Sequence, residues 1–229
     1  MTAAPPPTRR RSRAWAVGAL LVVVLVAAVV IVLRLYAPGP DRDAVEGAAP
    51  SPGAPPTPVE AAETGASGCL GGETRDAAMV QAAQQSAGHD ETGAVEVSTA
   101  FVRWLNQYPY PGDAEQVQQS AMSAQAPTRD LVGFFATEPD LSGGLVAANE
   151  PYWLSTVTGV YVVESAEPDA VTASIGTALV RDGELSPTLK GSITVTVAWE
   201  DGRWAFVRSE GTRTTEDLFA IGAPFSGGC

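Results

Sequence analysis

The chain has 229 residues, of which 45% are hydrophobic, and this length and composition allow one or two globular domains. Residues 1–35 carry five arginines and no acid, whereas the remaining residues carry 9 basic and 26 acidic side chains, a net charge of −17. Such acidity excludes nucleic acid as a partner, because phosphates require a basic surface, and it argues against docking on anionic lipid headgroups. It is also typical of a domain that simply stays soluble.

A long uncharged segment follows the first four arginines. Ala14–Leu33 contains no charged side chain over 20 positions, and as a helix it would be about 30 Å long, which matches a bilayer core. A cleaved secretory signal is the alternative, but its apolar core is normally about 7–15 residues long and ends at a small-residue cleavage site. The sequence therefore predicts an uncleaved transmembrane helix, taken as residues 14–35.

The residues around this helix predict its orientation. Arginines before the segment place residues 1–13 in the cytoplasm by the positive-inside rule, so the C-terminal part would lie outside the cell membrane. Aromatic and basic residues at both ends are typical interfacial anchors. The predicted flanks of the membrane anchor are Arg9, Arg10, Arg11, Arg13, Trp15, Arg34 and Tyr36.

The only two cysteines are Cys69 and Cys229. Outside the cytoplasm, an even and small number of cysteines is typical of a disulfide. This one would close a loop of about 160 residues, worth roughly 5 kcal/mol through lost entropy of the unfolded chain. Free thiols and a lipidated Cys69 are the alternatives, although lipidation needs a signal that ends directly at the cysteine.

The segment between the membrane helix and Cys69 has a different composition. Residues 37–68 contain seven prolines, several glycines and no aromatic residue, a pattern that favours a disordered and extended tether. We therefore predict a tether over residues 36–68. A folded domain over residues 69–229 follows it, bracketed by the two cysteines.

The first half of this domain has helical periodicity. A period near 3.6 residues, or a capping signal, predicts helices over Arg75–Ala87, 93–108, Ala114–Gln125 and from Pro127 to Phe135. In the strongest of them, Asp90 or Thr92 can cap the start and Pro109 stops the helix. Its apolar face is predicted to comprise Val97, Phe101, Trp104, Leu105 and Tyr108.

After Pro151 the period changes to two, which predicts a meander of about four antiparallel strands that is twisted and curved. The clearest hairpin is "GSITVTVAWEDGRWAFVRSE", in which Asp201-Gly202 forms a type I′ turn. This register places Glu200 opposite Arg203 and Trp199 opposite Trp204. The predicted fold class is α+β, with N-terminal helices packed on a curved antiparallel sheet as a cone-like roll.

Three stretches carry a resemblance to a known family. They are "CLGG", "TAFVRWLNQYP" (Thr99–Pro109) and "GSITVTVAWEDGRWAFV". Together with the order of anchor, tether, helices and sheet, they make Cys69–Cys229 resemble nuclear-transport-factor-2-like domains, in particular those of bitopic assembly proteins in the conjugative (type IV) transfer systems of Gram-positive bacteria. The resemblance implies a role in assembling an envelope apparatus. Members of this type often carry two such domains in tandem, whereas this chain has room for one.

The sequence shows no constellation that names a reaction. His89 is the only histidine and is interpreted as a surface-loop or helix-cap residue, and no cysteine remains as a nucleophile. Enzymes with this roll hold polar groups inside the cone, and the candidates here are Tyr152, Tyr161 and Asp169, although core or surface packing is the better explanation for each. We therefore expect no catalytic residues, no metal and no cofactor.

Three hypotheses for the function follow. The first is a membrane-anchored, non-enzymatic scaffold whose outer domain self-associates or binds protein partners in the cell envelope, in a conjugation or secretion apparatus. The second is a sensor that binds a small molecule or lipid in the cone cavity, with Tyr152 and Tyr161 as cavity residues. The third is an isomerase- or dehydratase-like enzyme, which would need at least two convergent polar groups in that cavity.

Overall fold

The computed structural model describes residues 65–138, 140–211 and 213–229. They form an α+β domain in which a curled antiparallel sheet makes a half-barrel with helices packed on it, so the predicted fold class is confirmed at this level. The predicted cytoplasmic tail, transmembrane helix and most of the tether lie outside the described residues. Within the described residues, no helix has the length and apolar character needed to cross a bilayer.

The domain contains five helices and six strands within the described ranges. The helices are α1 (Ala77–Ser86), α2 (Glu91–Leu105), α3 (Ala114–Ala121), α4 (Leu131–Thr137) and α5 (Thr215–Ile221). The strands are β1 (Gln107–Tyr108), β2 (Tyr152–Glu167), β3 (Ala170–Arg181), β4 (Glu184–Glu200), β5 (Arg203–Glu210) and β6 (Ala223–Pro224).

Helix α2 lies against the concave face of the sheet and contacts all four long strands. Asp90 caps it by accepting a hydrogen bond from the Gly93 amide at 2.8 Å, as one of the two predicted caps. Four of the five residues predicted on its apolar face are buried, with Trp104 fully buried at the centre, whereas Tyr108 is only half-buried. The helix ends at Leu105, three residues before the predicted end at Tyr108, because Gln107 and Tyr108 instead pair with β2 as a short strand.

The next two helices are shorter than predicted. Helix α3 ends at Ala121 because the chain then runs along β5, where the Ser123 amide donates to the Phe206 carbonyl at 2.8 Å. The prediction that a helix begins at Pro127 is wrong. Helix α4 begins only at Leu131, where Asp130 accepts a hydrogen bond from the Gly133 amide at 2.8 Å and caps the helix.

The sheet has the order β1-β2-β3-β4-β5, and β6 pairs with the outer edge of β2. The four long strands form the predicted meander. Its last turn has φ values of 51° at Asp201 and 78° at Gly202, as a type I′ turn requires, so the predicted pairs of Glu200 with Arg203 and Trp199 with Trp204 are confirmed. Strands β1 and β6 were not predicted, since two-residue strands leave no periodicity.

The two faces of the sheet are covered by different elements. Helix α2 and the apolar residues of the inner face form the core, where Trp204 is fully buried beside Trp104 and Phe101. Helix α5 covers the outer face. Its Leu218 and Phe219 pack directly on Gly176, where a Cβ atom would lie only 3.1 and 2.9 Å from their side chains, too close to fit without a shift. Thr214 caps α5 by accepting a hydrogen bond from the Asp217 amide at 3.1 Å.

The first and last described segments meet at the edge of β2. Cys69 and Cys229 form a disulfide with a Cα–Cα distance of 5.4 Å, which confirms the predicted pairing. Thr156 holds both segments, because its hydroxyl donates to the Gly68 carbonyl at 2.7 Å and accepts from the Cys229 amide at 3.0 Å. Ordered contacts already begin before Cys69, since the Gly65 carbonyl accepts a hydrogen bond from the Ser226 hydroxyl at 2.6 Å.

Candidate functional site

The mouth of the half-barrel contains an open apolar groove of about 240 Å³, which we call the mouth groove. Its floor is the pair of Phe101 and Phe206, whose rings stack with centroids 3.9 Å apart at an interplanar angle of 14°. Helix α4 forms one wall and β5 the other. The residues that line the groove are Phe101, Leu105, Met122, Pro127, Thr128, Asp130, Leu131, Phe134, Phe206, Val207, Arg208 and Ser209.

Strand β5 borders this groove with an edge that is only partly paired. The Phe206 carbonyl accepts a hydrogen bond from the Ser123 amide on the side away from β4. Beyond Phe206, the structure shows no backbone hydrogen bond from this outer edge of β5 to any described residue. The register shift at Val207, between the pairs of Phe206 and Arg208 with β4, adds a β-bulge there. The groove is therefore bordered by backbone groups that remain available for a strand-like ligand.

Both charged side chains of the mouth groove are already occupied. Asp130 caps α4, and the Arg208 guanidinium contacts the Glu210 carboxylate at 2.7 Å. The groove thus offers apolar contact and backbone hydrogen bonds, and its lining contains no pair of polar groups poised for acid–base chemistry. This is the chemistry of a docking surface.

A second and larger concavity lies on the other side of α3. It has a volume of about 480 Å³ and lies between α1, α3 and the turn from β4 to β5. The side-chain amide of the buried Gln84 donates to the Trp204 carbonyl at 2.7 Å. The Arg203 guanidinium donates to the Ser120 carbonyl at 3.2 Å. These bonds tie the helices to the sheet, so the residues of this concavity have an evident structural role.

The interior of the half-barrel is filled by aromatic side chains, and the two tyrosines predicted as cavity residues lie in different places. Tyr161 packs on Phe225 with ring centroids 5.2 Å apart, and its hydroxyl accepts a hydrogen bond from the Ala66 amide at 3.3 Å. Tyr152 is 3% exposed, and its hydroxyl borders a small cavity beneath the loop before β2. No single cavity of the described structure contains both side chains.

The structure brings together His89 and Asp169, which are 80 positions apart. The His89 Nε2 atom lies 2.9 Å from Asp169 Oδ1 and 3.0 Å from the Pro168 carbonyl oxygen. Its ring stacks on Trp199 with centroids 4.0 Å apart at 6°, and Trp204 donates to the Gly88 carbonyl at 2.8 Å. His89 lies in a surface loop, as predicted, but it also fastens the loop between α1 and α2 to the turn between β2 and β3.

Arg103 is a buried charge that the sequence did not single out, although it lies in the quoted stretch "FVRW". It is fully buried, and its guanidinium donates to the carbonyls of Gly72 and Thr74 at 3.0 and 3.3 Å. Burial, together with the nearby Arg75 charge, lowers the pKa of Arg103 to about 10, so the group stays charged at neutral pH. Arg103 therefore holds the loop after Cys69 against α2.

Arg75 is the second partly desolvated arginine of this region. Its guanidinium lies 5.2 Å from the centre of the Trp153 ring, a cation–π contact, and burial lowers the pKa of Arg75. None of the described ion pairs involves Arg75 or Arg103. A basic residue among apolar helix positions, as in "FVRW", is the sequence signal that could have identified Arg103 as buried.

The remaining expectations concern metal binding and the membrane anchor. The described residues contain no group of three or more His, Cys, Asp or Glu side chains placed to hold a metal ion. The predicted membrane flanks from Arg9 to Tyr36 lie outside the described residues.

Comparisons with protein-family models, with curated proteins and with solved structures found no match to this chain.

Proposed function

We propose that this chain is a single-pass, membrane-anchored interaction module, in which the outer α+β domain binds a protein partner of the cell envelope through the mouth groove. The observation that carries the proposal is the groove itself: an open apolar surface, floored by Phe101 and Phe206, beside a strand edge with free backbone groups. Solvent-facing apolar grooves of this kind commonly mark interaction sites. Adding an extended peptide to a free strand edge is a recurring mode of recognition.

Two independent features support the proposed compartment. The uncharged stretch Ala14–Leu33, preceded by arginines, supports a membrane anchor with the domain outside the cytoplasm. The disulfide between Cys69 and Cys229 supports the same location, because disulfides persist in oxidising compartments. The order of helices followed by a curled sheet agrees with a nuclear-transport-factor-2-like roll, and we propose a conjugation or secretion apparatus as the setting of the partner.

A ligand enclosed by the cone is the weaker alternative. The space between α2 and the sheet is occupied by Phe101, Trp104 and Trp204, all at most 1% exposed. The mouth groove is smaller than the roughly 300–1,000 Å³ of most small-molecule sites, and it is open to solvent. These features favour a partner that lies across the surface over a molecule that is enclosed within it.

The proposal is tested by placing a charge in the groove. Phe134→Asp puts a carboxylate into the apolar wall, whereas Val132→Asp puts the same charge on the same helix at a residue that is 52% exposed and does not line the groove. After cross-linking in intact cells, we expect the wild-type chain and Val132→Asp to retain the same envelope proteins, or a second copy of the chain, and Phe134→Asp to lose them. Equal retention by both variants would overturn the proposal, provided that circular dichroism shows both to be folded.

A further inference from the structure

A small cavity lies beneath the loop that joins α4 to β2. Its volume is about 10 Å³, which is room for one water-sized group. We call it the acid–tyrosine cavity, because three tyrosines (Tyr108, Tyr110 and Tyr152) and two carboxylate residues (Asp140 and Glu150) border it. It is distinct from the mouth groove, with which it shares no lining residue.

The first observation is an unpartnered hydroxyl. Tyr152 is 3% exposed, and its hydroxyl oxygen is buried with no hydrogen-bond partner in the described structure. Burial, with smaller contributions from Tyr110 and the negative charge of Asp140, raises the pKa of Tyr152, so the hydroxyl keeps its proton. Buried polar groups in proteins nearly always have a partner, and Tyr152 borders the same cavity as Asp140.

The second observation is uncompensated negative charge. Hydrogen bonds from Ser142, and more weakly from the Gly144 amide, lower the pKa of Asp140, so its carboxylate is charged at neutral pH. Neither Asp140 nor Glu150 takes part in any of the described ion pairs. Residues 130–180 contain seven acids and no lysine or arginine, and Arg181, which pairs with Tyr152 across the sheet, does not border the cavity. The cavity therefore favours a cation.

The third observation is the arrangement of the tyrosine rings. Tyr108 and Tyr110 lie with ring centroids 5.7 Å apart at 80°, so their planes are nearly perpendicular. Both rings are held in place, since the Tyr108 hydroxyl donates to Asn149 Oδ1 at 2.9 Å and the Tyr110 hydroxyl donates to the Glu138 carbonyl at 2.7 Å. Aromatic rings that border a cavity together with a carboxylate suit an ammonium group, which the negative faces of such rings attract.

From these three observations we propose that the acid–tyrosine cavity binds a primary alkylammonium group. The ammonium N–H groups donate to the Tyr152 hydroxyl oxygen and to the Asp140 carboxylate, and the group's charge offsets that carboxylate. A water molecule would also satisfy the Tyr152 hydroxyl, but it would leave the negative charge uncompensated. The ammonium group can belong to a free amine or to a lysine side chain of a bound protein, because both present the same chemistry.

The test is a calorimetric titration of the full chain with n-butylammonium, with lysine blocked at both its amino and carboxyl ends, and with n-butanol as the uncharged analogue. We expect both amines to bind and n-butanol not to bind. Binding by the blocked lysine that equals or exceeds that of n-butylammonium assigns the site to a lysine side chain. Binding by n-butylammonium alone assigns it to small free amines.

Variants separate the site from non-specific attraction to an acidic protein. Tyr152→Phe removes only the buried hydroxyl. Asp140→Asn removes the charge at an exposed residue and one of the two hydrogen bonds that its carboxylate accepts from the loop. Each should weaken amine binding about tenfold, the loss expected for one hydrogen bond to a charged group. Tyr161→Phe is the matched control, since it removes a tyrosine hydroxyl from the same strand outside the cavity, and it should leave binding unchanged.

The proposal is overturned if neither amine binds, if n-butanol binds equally well, or if all three variants bind the amines as the wild-type chain does. Those results mean that the cavity holds a bound water only. Because Asp140 is exposed, Asp140→Asn should fold even if Tyr152→Phe does not, so the decision does not depend on one variant. Loss of partner capture in Phe134→Asp with unchanged amine binding would show that the two sites are independent.

Discussion

Removing the disulfide tests how the two ends of the domain are held. The double variant Cys69→Ser, Cys229→Ser opens a loop with a sequence separation of 160 residues. The entropy regained by the unfolded chain should lower the free energy of unfolding by roughly 5 kcal/mol, and by less if the unfolded chain is compact. Contacts of Thr156 with Gly68 and Cys229 remain in the variant, so the folded ends should stay in place.

The assay is guanidinium unfolding followed by tryptophan fluorescence, because Trp104 and Trp204 are fully buried and become exposed only on unfolding. The wild-type chain in a reducing buffer is the control, and it should lose the same free energy as the double variant. The reasoning is refuted if both lose less than about 1 kcal/mol, since the unfolded chain would then gain little freedom from the open loop.

Three further predictions concern single side chains. Arg103→Met should lower the free energy of unfolding by about 3 kcal/mol in the same assay, because the carbonyls of Gly72 and Thr74 lose a charged donor. His89→Ala should lower it by about 1 kcal/mol, because the stacking on Trp199 is lost. Hydrogen bonds, first of all from the Ser123 hydroxyl, hold the pKa of Glu200 below its ordinary value of 4.5. The ionised Glu200 therefore stabilises the folded state above pH 4.5, and this stabilisation is lost as the pH falls below that value. In Glu200→Gln, the free energy of unfolding should fall less steeply as the pH is lowered.

Two of these predictions have a matched control. Arg181 is half-exposed in a turn, and Arg181→Met should leave the free energy of unfolding within about 0.5 kcal/mol of the wild-type value. Glu167→Gln, which removes an exposed carboxylate at the end of β2, is the reference variant for the loss of one negative charge. An Arg103→Met chain as stable as Arg181→Met, or a Glu200→Gln chain with an unaltered acid transition, would contradict the roles assigned to these two residues.

The sheet was predictable from the sequence because its signals are local. Alternating apolar residues and the Asp201-Gly202 turn define the last hairpin, and its register follows from the two-residue turn. Helix ends were less predictable, because tertiary contacts decide them. Helix α3 stops where Ser123 joins β5, and α2 stops where Gln107 joins β2. Both are contacts between segments that are distant in the sequence.

The candidate sites could not be predicted from the sequence for the same reason. The mouth groove combines Phe101 from α2, Leu131 and Phe134 from α4, and Phe206 from β5, and each alone has the pattern of an ordinary core residue. The acid–tyrosine cavity depends on the loop around Asp140 passing over Tyr152. The sequence marks this loop only by its glycines and acids, and it contains no motif that indicates what the loop covers.

Site-specific photo-cross-linking in intact cells tests the central claim most directly. A photoreactive residue at Val207 lies in the mouth groove on β5, and the same residue at Val157, which is 41% exposed on β2, reports the opposite edge of the sheet. If the mouth groove is the interaction surface, Val207 gives a defined adduct with an envelope protein or with a second copy of the chain, and Val157 gives none. Adducts from Val157 alone, or from neither position, would contradict the claim that this groove binds a partner.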